Sequence, residues 1–297
     1  MWTAIECTGH PRDMGLAQGG ACASEIQTAC EAAGLPLRRS RVPTLRALSA
    51  GRVRGSGAGR EFLRHFAHQA ERLEGLARAA KVPFDSVLEL HLRVRAGGVE
   101  AGLLARRACL RAYSRSDAAL GKRTILERTL PAVAGGEAGW LLRESRSSVG
   151  FRSVEIGLPW LVSGVAGVNE AGLAAMAGPV LWGTAGQAGW PPSALLVQEC
   201  LQRFEDLSGA LDWCRKRPVE GEQSFVLADA SGQVATLIST GRERRIRLGE
   251  GELYLEGGEL PTQAAPGEAS SDRVVLDPLA RSLHLEAEAT SITIDLA

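Results

Sequence analysis

Cys109 lies within a run of arginines, at the point where the pattern of the chain changes from helical to strand-like. Arg106, Arg107 and Arg111 are its cationic neighbours in sequence. Where such cations are also close in space, they favour the thiolate and lower the pKa of the thiol. A thiolate of this kind is a nucleophile for acyl groups. The spacing leaves one alternative open, which is a buried thiol at the start of a core strand.

The other groups capable of chemistry form no motif. The six cysteines are far apart and include no C-x-x-C pair, which excludes a zinc ribbon, a redox motif and a disulfide scaffold. His65 and His68 can share one face of a helix, but no third ligand accompanies them. The glycine-rich run at 55–59 follows no strand, so it predicts a loop between helices and not a phosphate loop. We therefore expect buried thiols, no metal and no organic cofactor.

Composition excludes several classes of protein. The 297 residues are 45% hydrophobic, enough for one large domain, and 34 basic residues balance 34 acidic ones. This balance makes nucleic acid and membrane surfaces poor partners. No apolar run approaches the roughly 20 residues of a membrane span, and the first residues do not form a secretory signal. We expect a cytoplasmic protein.

The order of elements predicts the fold class. Apolar spacing of three and four residues indicates four helices in the first hundred residues: 11–33, 43–50, 60–80 and 85–94. After Arg107 the period changes to two, which is typical of antiparallel strands. Helices followed by strands, then helices and strands again, indicate an α+β fold and not a parallel βαβ fold.

Turn signals divide the second part of the chain. Asn169 to Gly172 and Asp229 to Gly232 predict the turns of two hairpins, over 161–177 and 224–238. Between the hairpins we expect two helices over 193–217, the second capped by Asp206. The remaining predictions are a hairpin at 242–256, a surface loop at 261–269, a short helix at 271–282 and an extended tail at 283–297.

Several segments, taken in order, resemble one known family over roughly residues 9 to 282. They read G-H-P-R-D-M-G-L-A-Q-G from Gly9, E-G-L-A from Glu74, C-L-R-A-Y from Cys109 and G-V-A-G-V-N-E-A-G-L from Gly164. This pattern resembles the acyl-coenzyme A:6-aminopenicillanic acid acyltransferase family, the peptidase C45 group of N-terminal-nucleophile hydrolases.

The resemblance implies a fold and a mechanism. The fold is a single domain over 1–297, an αββα sandwich of two antiparallel sheets between helical layers. The chain would cleave itself between Ala108 and Cys109, giving a helical segment 1–108 and a strand-rich segment 109–297. Cys109 would then be the nucleophile and its own α-amine the base. The partner implied is a small-molecule amide or thioester, with acyl-coenzyme A as a substrate and not a cofactor.

The departures from the family pattern concern the positions that carry chemistry. Leu110 and Arg111 stand where the family has Thr or Ser, and Glu127 is the nearest acidic residue to the family's Asn-x-Asp. Leu255 to Gly258 stands where the family has Thr-Asn-His, whose asparagine supports the oxyanion hole. Losing one such donor costs about 100- to 1,000-fold in rate.

Two hypotheses therefore stay open: a cysteine amidohydrolase or acyltransferase, and a catalytically inactive scaffold that binds an acyl-bearing ligand or a partner protein. Beside Cys109, the predicted substrate-binding residues are Tyr113, Arg111, Glu127 and Asn169. An asparagine in a hairpin also has a structural use, because it supplies turn geometry. A third hypothesis is an intact single-chain enzyme with relocated chemistry, in which Arg111, Arg123 and Arg128 form one anion-binding strand face; the alternative is a solvated face.

Overall fold

The computed structural model describes residues 2–38, 56–93, 110–117, 121–130, 139–180, 189–220, 223–240, 242–249, 253–255, 272–287 and 290–296. Four sequence predictions fall outside these residues: the helix at 43–50, the loop at 261–269, the cleavage site at Ala108 and Cys109, and residues 256–258 of the segment that stands at the family's Thr-Asn-His.

The N-terminal region begins with a strand that the sequence did not predict, β1 (Trp2–Gly9). Within 2–38 and 56–93, five helices follow: α1 (Pro11–Ala21), α2 (Ala23–Ala32), α3 (Gly57–His65), α4 (Ala67–Ala79) and α5 (Phe84–Arg93). The two long helices of the prediction were wrong, because each is broken, at Cys22 and at Phe66. Both residues leave helical geometry and are completely buried, so packing overrides helix propensity at these positions. The loop predicted for the glycine-rich run is wrong over its described part, because Gly57 to Gly59 form the first turn of α3 and the Ser56 hydroxyl accepts from Gly59 N at 3.0 Å.

One sheet has eight strands. After β1 they are β4 (Trp140–Ser147), β5 (Ser153–Gly157), β6 (Ala166–Asn169), β7 (Ala174–Val180), β8 (Gln223–Ala228), β9 (Val234–Thr240) and β10 (Glu243–Gly249). The strands are neighbours in this order, and β1 pairs with β4 in parallel while the others are antiparallel. Both predicted hairpin turns are confirmed. Gly172 and Gly232 adopt φ values of +91° and +88° there, which favour glycine.

The other sheet has six antiparallel strands. Their order is β11 (Leu253–Leu255), β2 (Leu110–Asp117), β3 (Gly121–Leu130), β12 (Asp272–Asp277), β13 (Ser282–Ala287) and β14 (Thr290–Asp295). The hairpin predicted at 242–256 is wrong, since β10 pairs with β9 and β11 pairs with β2 in the opposite sheet. The helix predicted at 271–282 is wrong because β12 is bonded on both sides. The extended tail forms a hairpin.

The two sheets pack face to face, with β3 against β7 and β8, and β13 against β5 and β6. Helix α1 packs on β1 and β4. Two further helices follow. Helix α6 (Leu196–Arg203) packs on β6 and β7, and helix α7 (Leu207–Lys216) packs on β9. Asp206 caps α7 as predicted, accepting from Gly209 N at 2.7 Å. The predicted α+β sandwich of two sheets is confirmed. No described helix is long and apolar enough to cross a membrane.

Helices α1 and α4 approach each other so closely that their contact excludes side chains. A Cβ atom on Gly15 would lie 1.9 Å from Arg72 O, and one on Gly75 would lie 2.0 Å from Arg12 O. Gly19 makes the same approach to Leu76 O, at 2.3 Å. Gly15 and Gly19 of the opening sequence motif therefore serve helix packing, together with Gly75, because only glycine lets two backbones come so near.

Candidate functional site

Three of the predicted substrate-binding residues lie together on the outer face of the β2–β3 hairpin. Arg111 pairs directly with Glu127 in the strand register, and Arg111 Nη2 donates to Glu127 Oε2 at 2.6 Å. Tyr113 lies one pleat further on, with its hydroxyl 3.4 Å from the same oxygen. The Arg111 guanidinium also stacks 5.0 Å from the centre of the Tyr113 ring. Burial and the neighbouring Glu127 charge raise the pKa of Tyr113, so its hydroxyl is protonated at neutral pH.

The sequence did not identify the second cation of this cluster, which is Arg273 on β12. Arg273 Nη1 lies 3.3 Å from Glu127 Oε1, and the same guanidinium binds Glu286 on β13. The Glu127 side chain is only 8% exposed, and each of its two carboxylate oxygens has an arginine partner. The Glu127 carboxylate therefore holds the two guanidinium groups of this cluster together.

The prediction that Arg111, Arg123 and Arg128 share one strand face is wrong. Alternate residues of a strand point to opposite sides of the sheet, and Arg128 has the opposite parity to Arg123. Arg123 lies on the outer face, where it binds Asp277 at 2.6 Å. Arg128 lies on the inner face, completely buried between the two sheets.

Arg128 pairs in the strand register with Leu110, the residue that follows Cys109 in the chain. Its Nη1 atom donates to the carbonyl oxygens of Val165 and Ala177 in the opposite sheet. Its Nε and Nη2 atoms are buried and have no hydrogen-bond partner. Burial lowers the pKa of Arg128 to about 10, which still leaves the guanidinium charged at neutral pH.

Asn169 lies away from the other predicted residues, at the end of β6. Its Nδ2 donates to Leu201 O and Phe204 O, both at 2.8 Å, which satisfies carbonyls at the C-terminus of α6. Its Oδ1 accepts from Ala171 N at 3.1 Å and Leu173 N at 2.8 Å, which closes the turn. Both ends of the amide are therefore used within the fold. Substrate binding by Asn169 stays a prediction.

We expect Asn169→Ala to lower the free energy of unfolding by about 2 kcal/mol, because it strands buried backbone donors and acceptors in a turn and at a helix end. A thermal melt followed by circular dichroism measures this. Asn169→Asp keeps the acceptor to the turn but places a buried carboxylate oxygen against Leu201 O and Phe204 O, so it should be destabilised as well. An unchanged melting temperature in Asn169→Ala would contradict the structural role.

A buried polar network that the sequence did not reveal lies between the helices and the eight-stranded sheet. Arg143 on β4 binds Glu155 on β5 at 2.7 Å, and their side chains are 1% and 0% exposed. Arg143 also donates to Gln18 of α1 at 2.8 Å and to Gln198 of α6 at 2.6 Å. Burial raises the pKa of Glu155, but Arg143, Arg72 and two hydrogen bonds outweigh it, so the net shift is downward. The Arg143–Glu155 pair therefore connects α1 and α6 to the eight-stranded sheet.

The described thiols and the buried histidine are structural. All five described cysteines are buried, as predicted, and Cys200 and Cys214 lie with their sulfurs 3.4 Å apart. His91 donates from Nδ1 to Val87 O and accepts at Nε2 from Val162 N. Burial lowers the pKa of His91 to about 4, so this histidine is neutral and holds α5 against the chain preceding β6.

An open groove of about 860 Å³ lies among the N-terminal helices, between Leu63 of α3, Glu74 of α4 and Phe84 of α5. It is lined by none of the predicted site residues. The strand cluster and the groove are therefore separate features of the surface.

The fold and these side chains define a two-sheet α+β sandwich with a charged cluster on one sheet and an arginine buried between the sheets. No protein family model matches the chain, and no curated protein matches it. Penicillin V acylase from Agrobacterium tumefaciens is similar over 63% of this chain and 86% of its own, at 15% identity and a TM-score of 0.47. Two variants of conjugated bile acid hydrolase from Clostridium perfringens each cover 63% of this chain and 92% of theirs, at 8% identity and TM-scores of 0.43 and 0.44.

Proposed function

We propose that this protein is an amidohydrolase or acyltransferase of the N-terminal-nucleophile type, with Cys109 as the nucleophile. The observation that carries the proposal is the place of the neighbouring residue. Leu110 begins β2, is 1% exposed, and lies opposite the buried Arg128 in the strand register. Cys109 comes directly before this strand, one residue from a buried position paired with a guanidinium and two residues from Arg111, and positive charge close to a cysteine favours the thiolate.

The proposed reaction has two steps. The α-amine of Cys109 takes the thiol proton and the thiolate attacks the carbonyl carbon of a small amide or thioester. The amine or thiol then departs with that proton and an acyl-cysteine remains. Water, or a second amine or thiol, then takes the acyl group and regenerates the thiol. Cleavage between Ala108 and Cys109 would supply an α-amine as the base, so no histidine is needed. The partner proposed is a small acyl-bearing molecule.

A second candidate function is a non-catalytic scaffold that binds such a ligand or a partner protein. Two observations favour it: the oxygens of Glu127 are engaged by Arg111 and Arg273, and the amide of Asn169 is engaged by the turn and α6. Neither side chain is free to act as a base or as an oxyanion donor.

Intact mass spectrometry of the purified protein and of Cys109→Ala separates the two candidates. The amidohydrolase proposal expects two fragments divided between Ala108 and Cys109 in the wild type and one chain in Cys109→Ala, because cleavage needs the thiol. Cys214→Ala is the control, since it removes a buried thiol elsewhere and should cleave normally.

A second measurement tests acyl transfer directly. Incubation with a short-chain acyl thioester, followed by an acid quench, should add one acyl mass to the peptide that contains Cys109. An uncleaved chain that acquires no acyl group would reject the amidohydrolase proposal and leave the scaffold.

A further inference from the structure

The guanidinium of Arg128 is a buried charge without a counter-charge. Arg128 is completely buried, and no acidic side chain among the described residues pairs with it. Arginine remains charged in proteins, and an uncompensated charge in a protein interior is costly. Arg143, which is buried to the same degree, has the carboxylate of Glu155 at 2.7 Å. Among the described residues, Arg143 thus has a carboxylate partner and Arg128 has none.

The side of Arg128 that lacks partners is chemically specific. Nη1 is fixed by the carbonyl oxygens of Val165 and Ala177, so the side chain is anchored to the opposite sheet. The two free atoms are Nε and Nη2. These nitrogens share one edge of the planar guanidinium, and their N–H bonds run parallel. That edge is the one that binds both oxygens of a carboxylate.

We propose that Arg128 binds the carboxylate of a small ligand between the two sheets, through paired hydrogen bonds from Nε and Nη2. The site uses the same guanidinium that supports the proposed function, but it requires neither a nucleophilic Cys109 nor chain cleavage, so acetate binding and self-cleavage are tested separately. It favours a planar anion with two oxygens over a spherical anion, because a single ion cannot align with both N–H bonds. Since Arg128 has no exposed surface, the ligand enters when the sheets separate locally.

Sodium acetate is the simplest probe of the site, with sodium chloride at equal ionic strength as the anion control. Saturation-transfer NMR on the uncleaved or cleaved protein, as purified, should show saturable binding of acetate to the wild type. Arg128→Met removes the charge at similar volume and should abolish the signal. Arg146→Met is the matched control, because it removes an exposed arginine of the eight-stranded sheet and should bind acetate normally.

Thermal melts give a second readout. Acetate at about ten times its Kd should raise the melting temperature of the wild type by about 2–4 °C, while chloride should not. Arg128→Met should melt above the wild type in acetate-free buffer, because an uncompensated buried charge has been removed. Arg128→Lys keeps the charge without the planar edge, so it should lose the preference for acetate over chloride.

Three outcomes would overturn the proposal. They are no saturable acetate binding to the wild type up to about 0.5 M, equal stabilisation by acetate and chloride, and undiminished acetate binding in Arg128→Met. The first two need only the wild-type protein, so they remain decisive even if the variants do not fold.

Discussion

Gly15→Ala is expected to lower the free energy of unfolding by about 3 kcal/mol or more, and the melting temperature by about 6 °C. The added Cβ would lie 1.9 Å from a backbone oxygen of Arg72. A backbone atom cannot rotate away as a side chain can, so α1 and α4 must move apart. That movement also strains Gln18 of α1, which donates to Pro159 O at 2.9 Å and to Leu161 O at 3.0 Å.

Gly20→Ala is the matched control for this experiment. It lies in the same helix, is exposed, and has nothing within 4 Å of the position its Cβ would take. Alanine is the better helix former by about 1 kcal/mol, so this variant should be slightly more stable than the wild type. Equal melting temperatures for the two variants, measured by differential scanning calorimetry, would show that the close approach of the helices is not needed for stability.

Arg143→Met should have the largest effect of any single substitution considered for this fold, a loss of about 4 kcal/mol. The change keeps the volume of the side chain but leaves the Glu155 carboxylate buried without its cation. It also removes the donors to Gln18 and Gln198, which connect α1 and α6 to the sheet. Urea unfolding curves at pH 7 measure the loss.

The pH dependence of this loss tests its cause. In the wild type the folded-state pKa of Glu155 is lowered, so the ionised carboxylate contributes stability above its unfolded pKa. In Arg143→Met, burial without the cation raises the folded-state pKa of Glu155 above its unfolded value. The variant therefore gains stability as the pH falls and the carboxylate becomes protonated. The difference between wild type and variant should therefore shrink from pH 7 to pH 5. Combination with Glu155→Gln should cost less than the sum of the single changes, and strict additivity would refute the pairing.

Local signals in the sequence were sufficient for the hairpin turns at Asn169 to Gly172 and Asp229 to Gly232, and for one face of the site. Asn169 and Gly172 carry their turn chemistry within four residues, and the turn between β6 and β7 forms where they predict it. A hairpin closing at Gly121 also brings Arg111 opposite Glu127, because the register follows from the position of the turn. Contacts of this kind depend on residues that are near each other in the chain.

Partners that are distant in the chain were not accessible from the sequence. Arg273 joins the cluster because β12 pairs with β3, although the segment was predicted to be helical. Its short apolar run is compatible with either structure, and pairing on both sides decides for the strand. The position of Arg128 between the sheets was missed for a similar reason, since an arginine on a strand predicts a solvated face and only the packing of the second sheet reverses that expectation.

The parallel pairing of β1 with β4 has a consequence for how the chain folds as it is synthesised. Trp2 is the partner of Trp140 in this pairing, so the edge strand of the eight-stranded sheet comes from the first residues of the chain. Contacts of such long sequence separation form late, after the loop-closure entropy of the intervening chain has been overcome. During synthesis, β1 therefore stays without its partner strand until β4 has been made. A fragment ending at Ala108 would carry β1 without its sheet, leaving an unpaired edge prone to association with other chains.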